Sequence, residues 1–211
     1  MDRCDVALRE LEFAQQDVVE PSLLGIVGGL MNLARIRQVF DADTVAVLRS
    51  ADVNQSAELI LSRPLPQRNP QVASALKHCA NIFEVPSKMG IMLYARTKLG
   101  TWSLEQTMAA YEYTILLSKW LDRLSSSLRE HSATIWEEEI YIQVDEQTRL
   151  VYLDLEDSSG EVLTQTSTAL LSVAVVQVLA QMFACQTNRP LTQRLSRILN
   201  QYVSLKQNQM L

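Results

Sequence analysis

Between Ser103 and Arg129 the residues Ala110, Thr114, Leu117, Leu121, Leu124 and Leu128 recur alternately four and three positions apart, and Met108, Tyr111 and Ile115 widen the stripe they draw. That spacing suits a helix, whose side chains repeat every 3.6 residues, and not a strand, whose side chains repeat every two. The stretch predicts one long helix, opened by a capping box in which Ser103 and Gln106 satisfy each other's amides. So wide an apolar surface needs cover on more than one side, and the remaining segments have to be arranged round it.

Those segments supply mostly more helix. Asp5 to Val18 is amphipathic on Leu11, Ala14 and Val18, and after Pro21 the run Ser22 to Phe40 is apolar almost all round, as a helix with several neighbours is. Gly25 and Gly29 stand four apart within it and lower helix propensity by about 1 kcal/mol each, which close approach of a second helix across their flat face offsets. Asp43, and then Asp52 or Asn54, cap two short helices, and Asn69 before Pro70 opens another over 71–84. Arg63 to Pro70 contains Pro64, Pro66 and Pro70, which predicts a loop and the natural place for a subdomain border in a chain otherwise read as one domain over 1–211. Thr168 to Cys185 is apolar apart from Ser172, Gln177 and Gln181 and reads as a buried core helix rather than a membrane span. In the final stretch Leu191, Leu195, Ile198, Tyr202 and Leu205 follow four-three-four-three spacing, a seam that faces a helix of this chain, of a second copy or of a partner.

After Trp136 the period becomes two. Ile140, Ile142 and Val144 alternate with polar residues, Asp145 to Thr148 offers a turn, and Val151, Leu153 and Leu155 alternate again. The expected fold is therefore α+β and predominantly helical: about six or seven helices with one small antiparallel β-hairpin near 139–166, three-stranded if Glu161 to Thr166 joins it.

Charge narrows the function. The chain carries a net charge of -5, the wrong sign for a protein whose whole surface is a nucleic-acid footprint. Its three cysteines, Cys4, Cys79 and Cys185, are too far apart for a disulfide framework or a zinc site, and the start of the chain lacks an apolar signal core, so a cytoplasmic protein without metal or cofactor is expected. Gly-x-Ser-x-Gly, His-Glu-x-x-His, Walker and dinucleotide glycine patterns do not occur. His78 is next to Cys79, yet neighbours on a helix diverge by about 100 degrees, so the two make a poor catalytic pair.

Charge is also segregated. Glu137, Glu138, Glu139, Asp154 and Glu156 belong to a 137–161 stretch with nine acids and one base, whereas 162–211 has Arg189, Arg194, Arg197 and Lys206 and no acid. Mutual neutralisation through Arg194 and Arg197, within the chain or between copies, follows as an electrostatic expectation. The expected function is a noncatalytic interaction, regulatory or assembly protein that self-associates or binds a protein partner, with the 191–205 seam and the acidic hairpin as its contact surfaces. One alternative is a DNA-binding regulator with a helix-turn-helix near 71–98 whose contacts are Lys88, Arg96 and Lys98; another is a small-molecule enzyme without a linear motif.

Overall fold

The computed structural model describes residues 21–79, 82, 84, 88, 103–127, 134–156, 168–186 and 189–210. Eight helices lie among them: α1 (Pro21–Val39), α2 (Thr44–Arg49), α3 (Val53–Ser62), α4 (Pro70–Cys79), α5 (Leu104–Ser127), α6 (Ile135–Glu156), α7 (Thr168–Ala184) and α8 (Pro190–Met210). The amphipathic segment at 5–18 and most of the short helix after Pro86 fall outside the described residues.

Local chemistry sets the starts of these helices. The Asp43 side chain accepts from the Ala46 amide at 3.4 Å, Asp52 from Asn54 at 2.9 Å, and Asn69 from Val72 at 2.9 Å, each satisfying an amide that the first turn leaves without a partner. Asp43 does so from a left-handed backbone, φ 44°. At α5 the capping box closes both ways: Gln106 N donates to Ser103 Oγ at 3.2 Å, and Ser103 N to Gln106 Oε1 at 3.0 Å.

Every residue from Ala109 to Leu121 on α5 is buried, because α1 and α7 lie along it and α4 touches it. Trp120, Tyr111 and Tyr113 fill the centre. The α8 helix packs on α7 and α3, and α6 closes the far side against α4 and α7. Gly29 explains how α1 comes so near: a Cβ built there would stand 2.7 Å from Gln106 N and 2.8 Å from the Glu105 carbonyl carbon. The proline segment joins α3 to α4, and buried residues from both sides of it, Ile60 and Val72 among them, lie in one core cluster.

The α+β expectation is overturned. The proposed strands at 139–156 belong to a single helix, Ile135–Glu156, and no strand occurs among the described residues; the third strand, at 161–166, falls outside them. Helix prevails for three reasons. Thr134 followed by Glu137 has the spacing of a capping box and forms its glutamate half, the acids Glu137 and Glu138 sit in the first turn beside the positive end of the helix dipole, and the expected turn at 145–148 contains neither glycine nor proline. Ile140 and Val144, four apart, point inward, while Ile142, counted as their partner in the alternating pattern, is 62% exposed.

Candidate functional site

The α6 helix is held from below by one deeply set ion pair. Glu137 is fully buried, and both of its oxygens receive the Arg68 guanidinium from the proline segment. The Thr134 amide and hydroxyl each donate to Glu137 Oε2 at 2.9 Å. Burial by itself would raise the Glu137 carboxyl, but the Arg68 and Thr134 hydrogen bonds outweigh it and hold the group below its ordinary value, hence ionised at neutral pH. Ile140, Val144 and Thr148 continue the same inward line.

The opposite side of α6 faces solvent. Ile135 is 78% exposed and Ile142 62%, and Glu138, Glu139 and Glu146 are exposed beside them. Lys77 Nζ of α4 donates to Glu139 at 2.7 Å, an exposed pair of small energetic weight. The surface is thus a pair of apolar anchors with a carboxylate rim.

Several cations are bonded within the chain. Arg37 grips the buried Glu112 carboxylate at 2.6 and 2.9 Å, and Thr44 Oγ1 donates to the same group at 2.7 Å. Arg63 pairs with Asp43. Lys119 Nζ donates to the carbonyls of Leu61 and Arg63 at 2.7 and 2.8 Å, placing an ammonium against the negative end of α3. Lys206 Nζ reaches Ser118 Oγ and Asp122 at 2.8 Å each, over the Tyr202 ring. Burial lowers both ammonium groups, Lys119 to about 8; Asp122 opposes the shift at each, and Lys206 adds to it at Lys119. An open cleft of about 600 Å³ lies between the end of α1 and the proline segment, with Val39, Phe40, Leu65 and Pro66 as apolar wall and Asp41 and Arg63 as its charged groups.

The residues singled out in the sequence scatter. Leu195, Ile198 and Tyr202 are fully buried and Leu191 and Leu205 partly so, in the core that α8 shares with α3 and α7, so the seam is occupied by this chain's own helices. Arg194 donates to the Ser50 carbonyl and Arg197 to Gln193 of its own helix. Glu137 and Glu139 take their partners from the proline segment and α4, not from α8. Asp154 and Glu156 are in the last turn of α6. Lys88 is exposed and pairs with Glu84 at 2.6 Å, whereas Arg96 and Lys98 fall outside the described residues. Arg68 and Thr134, which seat α6, were missed; the Thr134 to Glu137 spacing was the available signal.

One known family model, the fungal transcription factor C-terminal domain, matches residues 41–201, more than half of the chain. The chain belongs to this family. No curated protein and no solved structure matches it. The match to the fungal transcription factor C-terminal domain takes in α2 to α7 and the first half of α8, so it includes α6 with its exposed face and the helices beneath it. Membership places the chain among regulatory proteins, in agreement with that part of the expectation drawn from its sequence. None of the described helices is long and apolar enough to cross a membrane.

Proposed function

We propose that this chain is the effector part of a transcriptional regulator, acting in the nucleus through contacts with other proteins and not by reading DNA itself. The partners that six of its cations find within the chain carry the reading. A protein docked on duplex DNA lays Lys and Arg along the phosphates, and the counterions it releases supply much of its affinity. Here Arg37, Arg63, Arg68, Lys119, Arg194 and Lys206 are all bonded to carboxylates or carbonyls of this chain. Between 135 and 146, what α6 offers outward is carboxylate and isoleucine with Gln143 beside them. The net charge of -5 favours the same conclusion. Because the α8 seam is used internally, contact with another molecule, a second copy included, has to use a different surface.

The test has two arms on the full chain. Fused to an unrelated DNA-binding module, the chain changes transcription from a reporter bearing that module's site; a folded fusion without effect overturns the reading. Unfused and mixed with labelled duplex at low salt, it forms no complex; a complex that weakens steeply with added salt assigns the chain to direct DNA binding instead.

A further inference from the structure

We infer that the outward face of α6 is a docking surface for a basic amphipathic helix of a partner protein. The inference rests on the regulatory reading above and names the surface through which it operates. At about 100° per residue, Ile135, Glu138, Glu139, Ile142 and Glu146 fall within an arc of about 100° on one side of the helix. The two isoleucines stand seven positions apart, about 10.5 Å along the axis, two turns of a helix and the spacing with which an amphipathic helix presents its anchors to a groove.

Isolated apolar side chains on a surface are ordinary. This pair differs because of what holds it and what surrounds it. The inward side of α6 is fixed by the buried Glu137 and its Arg68 and Thr134 partners, so the isoleucines project from a seated helix. Among the described residues they are the most exposed of the large apolar side chains, at 78% and 62%, on a helix whose aliphatic side chains at 140 and 144 are buried. The carboxylates round them select the occupant. Phosphate groups of nucleic acid or of an anionic membrane are repelled, and so is the same face of a second copy. Lys and Arg flanking an apolar strip are attracted, and the strip covers the isoleucines. Lys77 already shares Glu139, so Glu138 and Glu146 contribute most of the rim's charge. A face three turns long is small for a permanent complex, and the contact is transient and sensitive to salt.

The probes are two synthetic helical peptides, one presenting a leucine pair seven positions apart flanked by arginines, the other identical with glutamates for arginines. Titrated against the full chain, the arginine peptide saturates and the glutamate peptide does not. Ile135→Ser with Ile142→Ser lowers the affinity by about tenfold or more while circular dichroism stays unchanged, since both side chains already stand in water. Glu138→Lys with Glu146→Lys moves the preference to the glutamate peptide. Equal binding by the native and substituted chains, or no binding at low salt, overturns the inference. So does a native dimer that the isoleucine variant loses, which would give the face to a second copy. If all four substitutions together leave the reporter effect intact, the docking surface falls and the regulatory reading stands; a native chain without reporter effect removes both.

Discussion

Gly28 and Gly29 are neighbours on α1 with opposite surroundings, and they give the sharpest check on the packing of α1 against α5. A Cβ at Gly28 meets nothing within 4 Å, whereas one at Gly29 would stand 2.7 Å from Gln106 N and 2.8 Å from the Glu105 carbonyl carbon, both backbone atoms. Replacing glycine by alanine inside a helix contributes about 1 kcal/mol of stability through the backbone entropy it removes. Gly28→Ala should realise that gain. Gly29→Ala gains as much, but carbon contacts settle near about 3.5 Å, so α1 has to withdraw from α5 by roughly 0.8 Å. Overpacking costs about 1–3 kcal/mol, and a main chain already in a helix cannot rotate aside, which places this case towards the upper end. Gly29→Ala is therefore net destabilising by about 1–2 kcal/mol, and the two variants differ by about 2–3 kcal/mol. With a urea dependence of about 2 kcal/mol per molar, the unfolding midpoints followed by circular dichroism separate by roughly 1 M, on opposite sides of the native chain. Two variants that move together, or a Gly29→Ala as stable as Gly28→Ala, would refute the close approach.

Two further perturbations probe the interior. Burial lowers the Lys119 ammonium from 10.5 to about 8, so across that window the unfolded chain binds more protons and stability rises with pH. Relative to Lys119→Met, native stability in urea should therefore increase from about pH 7 to 10, by at most about 3 kcal/mol; a difference that does not change with pH refutes the buried charge. The Tyr111 hydroxyl is fully buried with no hydrogen-bond partner among the described residues. Tyr111→Phe removes a desolvated donor and should leave thermal stability level or raise it by about 1 kcal/mol, while a loss of that size would reveal a bonded partner such as an internal water.

Much of this fold is legible where the physics is local. Asp43, Asp52, Asn69 and Ser103 announce their helices because a cap acts within three residues, and the structure shows each side chain bonded as its position implies. Gly29 stands at a close approach that a Cβ would block, as its cost in a helix suggests, although the neighbouring Gly28 carries the same cost with open space beside it. The α6 helix was misread for an instructive reason: Ile142 faces water, and counting it with Ile140 and Val144 turns a spacing of four into one of two. The residue that spoiled the pattern is one anchor of the candidate site. The fate of the cations was illegible altogether. Lys119 and Arg194 find backbone carbonyls, which every residue carries, and Arg68 finds Glu137 across 69 residues of chain.

The packing of α8 on α3 sets a timetable for synthesis. Arg194 reaches Ser50 across 144 positions, and the buried Ile60 of α3 shares its core with Leu195 and Ile198. At about 5–20 residues per second a ribosome takes on the order of ten seconds to travel from one helix to the other. Through that interval α3 has α2 beside it but not the α8 side of its core, which can shut only once Leu195, Ile198 and Tyr202 have emerged.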